Sequence, residues 1–417
     1  MVFRAPLKHN KQPEGGTGHM VKNRLDPVLR AQELHQLLNR GGFGQREILV
    51  ADFSETLQGK DTSRVIDLMS NHDHRFLFRV KFNAKDVDPL AAEEYGKDFV
   101  DIRELSDEQI QEHLKRQEFD FALWFKHVPG FSFGRILDYN VPFIVQVAGC
   151  NFHDGSPTGG CRFCFVDNES NDGIDGPKKV WLSVNDCLDS FLAAREKVKK
   201  HYLDKTGQEV MLRVLRISGG EPTLVIDWIE ELWQEIERRG LLCNICGQVD
   251  TNLSTGSLLS KKQLARLARY PIKFLAGMKG CDSGNIAGNV QAIQTLTAQM
   301  KALRDLVDCG LDVYPQLYSP NPDSLRDLLE MTDAFCVKNF SLRLHIGPLK
   351  LYGPNRLRLE LEAEEEHWDA DTYIEDEISF WEDNYKAAIA VLDDYLSGVY
   401  GCRYKDTVRS DVRLVAL

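Results

Sequence analysis

Short apolar runs alternate with stretches of helical periodicity from about residue 142 onward. Strand-like runs occupy 143–148, 211–218, 243–250, 272–278, 311–318 and 341–346. Between them, apolar residues recur at helical spacing over 184–201, 222–239, 261–270, 289–309 and 324–335. Ser183 with Asp186 predicts the cap of the first helix, and Gly240 and Gly310 predict the ends of the second and fourth. A further helix is expected over about 378–396. Six strands alternating with helices predict an α/β fold whose parallel sheet carries helices outside. Six repeats suit a partial (βα)6 TIM-like barrel as well as an open sheet. In either case the chemistry should gather at the C-terminal ends of the strands.

The earlier part of the chain is patterned less regularly. A helix is expected over 27–38, stopping at Gly41 and Gly42, followed by strands at 47–53 and 75–82. Phe76, Phe78, Val80 and Phe82 would share one face of the second strand. Ser106 with Gln109 forms a capping box opening a helix to about residue 116, and an aromatic run spans 119–125. This region shows no catalytic constellation and reads as an α/β extension that covers the later domain or shapes its entrance. Residues 1–25 read as a flexible lead-in. The stretch 360–377 holds ten acidic residues and no Lys or Arg, the pattern of a solvated linker or face. The expected division is 1–25 lead-in, 26–136 extension, 137–350 barrel, and 351–417 acidic linker with a helical cover.

Composition narrows the class. At 417 residues the chain can hold one large domain with appendages, and no segment approaches the ~20 apolar residues of a membrane span. The N-terminus lacks the apolar core of a secretory signal. Ten cysteines in so long a chain do not resemble a disulfide scaffold, so a reducing, cytoplasmic location is expected. The net charge of −12 argues against a general nucleic-acid binder.

Against that background one stretch carries candidate chemistry. Cys150, Cys161 and Cys164 lie just past the first strand of the series, spaced C-x10-C-x2-C. Gly155, Pro157, Gly159 and Gly160 let the intervening chain loop out and return. Three thiols on one loop suit a soft metal centre. Two forms fit: an iron–sulfur cluster with one open iron, or a structural Zn²⁺ site with His153 as fourth ligand. A second motif, Ser218-Gly219-Gly220-Glu221-Pro222, closes the next strand and opens a helix. Its glycines allow close backbone approach, and Glu221 offers a carboxylate to an ammonium group. Pro222 is an ordinary first helical residue.

The pairing of these motifs resembles the radical S-adenosylmethionine superfamily. Phe163 supplies the aromatic before the last cysteine, and Gly219 to Pro222 match the family's second-strand segment. The resemblance covers about residues 140–350. It implies a [4Fe–4S] cluster on Cys150, Cys161 and Cys164, with the open iron binding S-adenosyl-L-methionine. Gly219, Gly220 and Glu221 would lie near the amino end of that cofactor. The first spacing departs from the family's commonest three residues, which leaves the subgroup, and with it the substrate, unassigned.

The remaining candidates sit at strand ends. Asp250, Thr251 and Asn252 would reach toward the ribose, unless they form an ordinary polar turn. Lys279 is a candidate catalytic residue beside cofactor or substrate, and His345 a candidate for the adenine pocket. Cys243 and Cys246, Cys187, Cys309 and Cys336 read as structural. Cys281 stands beside Lys279.

The resemblance implies an enzyme that cleaves S-adenosylmethionine reductively and abstracts a hydrogen from its substrate, fed by a one-electron donor such as flavodoxin or ferredoxin. The expected substrate is a protein or peptide, as for an activase. A nucleoside or tRNA and a small metabolite are the alternatives within the class. A non-catalytic, zinc-stabilised binding protein is the alternative outside it.

Overall fold

The computed structural model describes residues 25–53, 56, 66–70, 76–81, 124–207, 209–256, 258–290, 292 and 296–417. The lead-in through residue 24, the helix expected at Ser106 and the start of the aromatic run lie outside the described residues.

The first described helix is α1 (Pro27–Leu37), with Asp26 accepting the Val28 and Leu29 N–H groups as its cap. Strand β1 (Glu47–Ala51) and the hairpin β2 (Ile66–Ser70) and β3 (Phe76–Lys81) follow. Strand β4 (Pro142–Val147), buried at every position, starts the repeating part. After β5 (Lys179–Ser183) come α2 (Val184–Thr206), β6 (Val214–Gly219), α3 (Ile226–Arg238), β7 (Cys246–Thr251) and α4 (Lys261–Leu267). Then come β8 (Ile272–Met278), α5 (Ser283–Val290), α6 (Leu296–Asp308), β9 (Asp312–Tyr318), α7 (Pro322–Phe335) and β10 (His345–Gly347). Helices α8 (Gly353–Glu365) and α9 (Ala370–Tyr400) complete the larger elements.

Strands β4, β6, β7, β8, β9 and β10 are parallel, each paired with the next in chain order. With helices returning the chain between them, this is a partial TIM-like barrel, as the alternation predicts. The extension continues the same sheet, because β3 pairs antiparallel with β4 and β1 pairs antiparallel with β5.

Alternation along the strands separates two faces. Phe143, Val145 and Val147 of β4, Leu215 and Ile217 of β6, and Phe274 and Ala276 of β8 join the main apolar core under the helices. Phe143 meets Phe191 of α2 edge-on at 5.4 Å. Gly247 is small because Trp233 of α3 lies where a side chain would stand, 2.3 Å from an ideal Cβ. The opposite face is polar. Register partners share a face, so Ile144, Arg216, Gln248, Lys273 and Asp312 form one inner row. Within it Arg216 pairs with Asp250 at 2.7 Å, and Lys273 and Arg343 converge on Asp312.

Four departures from the expected elements stand out. Strand β5 has no counterpart among them, because its pairing partner β1 lies far earlier in the chain, in an irregular region. The strand expected at 341–346 is displaced. Ser341 donates its N–H and hydroxyl to Asp333, which holds Phe340–Arg343 in a helical turn, and the strand runs His345–Gly347. The helix expected over 289–309 runs Leu296–Asp308 as α6, and the separate helix α5 (Ser283–Val290) precedes it. The acidic stretch is a solvated face rather than a linker: it ends α8 and begins α9, which Asp369 caps by accepting the Thr372 N–H, and most of its carboxylates are exposed.

His345, expected near the cofactor, sits at the start of β10. Its Nδ1 receives the Tyr404 hydroxyl at 3.1 Å and stands 3.3 Å from Arg409 Nη2. Burial, aided by Arg409, pushes the ring's pKa down to about 3. An unfolded chain protonates this ring near pH ~6.5. Its contribution to stability is therefore complete above about pH 6.5 and is lost as the pH falls toward about 3. Urea midpoints measured across that window should fall with pH, and His345→Asn should flatten the slope. An unaltered slope in the variant would count against this assignment.

Candidate functional site

The site is built where β4 and β6 end side by side. Past β4 the backbone turns at Gly149 (φ +139°), and the Cys150 N–H donates to the Asn171 carbonyl at 2.8 Å. From the neighbouring strand, Gly220 N–H donates to Val147 at 3.0 Å and Glu221 N–H to Gly149 at 2.8 Å. The contact leaves no room for side chains. An ideal Cβ on Gly220 would stand 1.8 Å from the Gly149 oxygen, and one on Gly219 (φ +113°) 2.6 Å from the Val147 oxygen. The sequence suggested that these glycines admit a ligand. The backbone that carries Cys150 needs the same room.

Glu221 is fully buried and caps the short turn Pro222–Val225. One carboxylate oxygen accepts the Thr223 N–H at 3.1 Å and the Thr223 hydroxyl, and the other accepts the Asn252 N–H at 2.6 Å. Burial raises its pKa against the pull of those donors. Asn252 then turns back to the loop. Its side-chain amide donates to Asn151 Oδ1 at 3.0 Å and lies 3.8 Å from Cys150 Sγ. Asn171 directs a second amide at Cys164 Sγ, at 3.9 Å. Ser218 is buried on the inner face beside Gln146, and Asp250 is held in its pair with Arg216.

The three cysteines lie near enough to influence one another's ionisation. Burial, followed by Cys161, pushes the Cys150 thiol up, while burial takes Cys161 to about 11 against the opposing charge of Lys279. Lys279 stands over this group. Its Nζ lies 4.9 Å from the Tyr318 ring and 5.7 Å from Phe163, two rings stacked at 5.8 Å. Burial disfavours its charge, but Cys161, Tyr318, Cys164 and Cys150 outweigh that and raise its pKa. Among the described residues no three His, Cys, Asp or Glu side chains converge closely enough for a single metal ion. His153 is buried with Nδ1 accepting the Gly155 N–H at 3.0 Å.

The C-terminal helices grip the loop from outside. Arg162 donates to Glu362 at 2.9 Å, Glu377 at 3.2 Å and Tyr373 at 2.5 Å. Arg358 reaches the carbonyls of Cys164 and Val166, and Asn355 that of Phe163. Phe152, Cys161 and Phe163 pack with Ile286, Leu359, Ile374 and Trp381 in a second apolar cluster. On the N-terminal side Asn151 donates to the Pro27 carbonyl, and Arg30 to that of Asp172. The donor set thus fits a thiolate-held cluster: three thiols on a braced loop, amides near two sulfurs, and cations close by. Sequence reasoning placed the cysteines, Phe163 and Lys279 here but missed Arg162, Arg358, Glu362, Glu377 and Tyr318. Pairings that span 200 and 215 positions, like those of Arg162, leave no local signal.

No family model matches the chain, and no curated protein matches it. Several solved structures do. Hexahistidine-tagged anSMEcpe with bound AdoMet is 17% identical over 61% of this chain and 58% of its own, with a TM-score of 0.36. Native anSMEcpe with bound AdoMet is 15% identical over 62% of each chain, also at 0.36. The cobalamin-dependent S-adenosylmethionine radical enzyme OxsB, with aqua-cobalamin bound, is 15% identical over 63% of this chain and 34% of its own, at 0.33. The chain spans less than two thirds of the length of each of these proteins.

Proposed function

We propose that this chain is a radical S-adenosylmethionine enzyme. The observation that carries the reading is the seating of Gly219–Glu221 directly on the root of a three-cysteine loop at the C-terminal mouth of parallel strands. Cys150, Cys161 and Cys164 would hold a [4Fe–4S] cluster. Gly219, Gly220, Glu221, Asp250, Asn252 and His345 are the candidates to flank S-adenosyl-L-methionine. Together the two groups supply, when bound, a 5′-deoxyadenosyl radical able to take hydrogen from an unactivated C–H bond. The chain's own part is placement and exclusion. Phe163, Tyr318 and the apolar cluster shield Cys161 from bulk water and partly cover Cys150 and Cys164, and Lys279 holds a positive charge beside them.

Within the class, the position of Lys279 and the acidic surface favour a protein or peptide substrate, reached with a one-electron donor such as flavodoxin or ferredoxin. A chain of net charge −12 is poorly suited to a polyanion. Anaerobically purified protein should carry about four iron and four sulfide per chain. After reduction it should convert S-adenosylmethionine to methionine and 5′-deoxyadenosine. One zinc per chain with no iron and no such product would overturn the proposal in favour of a zinc-stabilised binding protein.

A further inference from the structure

Two cations stand beside the cysteine loop without a carboxylate partner among the described residues. Arg358 of α8 is 1% exposed. Its guanidinium donates to Asn168 Oδ1 at 2.9 and 2.6 Å, to the Val166 carbonyl at 2.5 Å and to the Cys164 carbonyl. All of these acceptors are neutral. Lys279, which is part-buried, holds its Nζ over the Phe163 and Tyr318 rings, and it forms no ion pair among the described residues. Arg162, by contrast, lies on the same loop and is matched by Glu362 and Glu377. The carboxylate that faces Cys150, Glu221, has both oxygens engaged by Thr223 and Asn252.

A buried cation without a counter-charge is strongly unfavourable. Three thiolates around an oxidised [4Fe–4S] core carry one net negative charge, and two once the core accepts an electron. We infer that Arg358 and Lys279 are the counter-charges of the reduced cluster, so that they set how readily it takes the electron delivered by the one-electron donor. Both are positioning residues in this role. The inference rests on the proposed function and adds to it the residues that tune its first electron transfer.

Anaerobically reconstituted holoenzyme is titrated with reductant while the reduced cluster is followed by electron paramagnetic resonance. Arg358→Gln and Lys279→Met should each weaken electron acceptance by tenfold or more, a midpoint lowered by about 59 mV for one electron. Arg358→Lys, which keeps the charge but loses the fork, should stay near the wild-type midpoint. Asn355→Ala removes a neutral hold on the same loop and should not move it. Unchanged midpoints in both charge-removing variants overturn the inference, as does an equal shift in Asn355→Ala. If Arg358→Gln fails to keep a cluster, Lys279→Met, which breaks no backbone contact, decides the matter. A wild-type protein that shows no iron–sulfur signal overturns the proposed function, and the inference with it. A normal wild-type signal with unshifted variants removes the inference alone.

Discussion

Cys161→Ala protein is expected to lose its iron and to form no 5′-deoxyadenosine from S-adenosylmethionine while remaining folded. Cys161 is buried among Phe152, Phe163 and Ile286. Removing one sulfur there leaves a small void, worth about 1–2 kcal/mol on the scale of buried truncations. The ligand set suffers more, since Cys150 and Cys164 alone do not hold a cubane of four irons. Iron and sulfide assays, thermal melting and chromatographic detection of the nucleoside measure the two effects separately. Cys187→Ala is the matched comparison, being equally buried but within α2 and away from the loop. It should melt a little lower and keep both iron and product. Full iron and full product in Cys161→Ala would remove Cys161 from the ligand set.

Gly220→Ala should be nearly as damaging, although it removes no chemical group. The new methyl would meet a backbone oxygen at 1.8 Å. No flexible side chain is there to swing aside, so either β6 or the root of the cysteine loop must move. The movement breaks the Gly220-to-Val147 and Glu221-to-Gly149 hydrogen bonds together. The loss should exceed the ~1–3 kcal/mol usual for overpacked cores. Gly42→Ala is the comparison, since nothing lies within 4 Å of an ideal Cβ there. Soluble yield, melting temperature and iron content should all fall in Gly220→Ala and hold in Gly42→Ala. A Gly220→Ala protein that melts and binds iron like wild type would show that the two strands are not packed this closely.

The barrel was legible because all but the last of its strands are self-contained signals. Val141 to Val147 is apolar at all but one position, Ile272–Met278 was found to the residue, and Ser183 with Asp186 marks the helix that follows β5. The cysteines and the Gly-Gly turn were legible for the same reason, as local spacings. What stayed hidden depends on distant partners. Nothing near residue 360 announces that Glu362 and Glu377 face Arg162, so these two were read with the solvated run around them rather than as one wall of a site. His345 stood at the end of an expected strand, and a shift of that strand toward the C-terminus put it at the beginning instead. The Gly-Gly turn was located correctly, but its need for glycine comes from Val147 and Gly149 on a neighbouring strand, which a linear pattern does not display.

The grip of α8 on the cysteine loop also bears on how the protein is made. Cys164 and Arg358 are separated by 194 residues. At synthesis rates of about 5–20 residues per second, roughly 10–40 s pass between the emergence of one and of the other. Throughout that interval the nascent chain presents its thiols on a loop that lacks both its arginine fork and its carboxylate wall. Under the proposed function, a cluster on these thiols would gain its full bracing only once α8 and α9 have emerged, and the late helices would then act as the latch that closes behind the cargo.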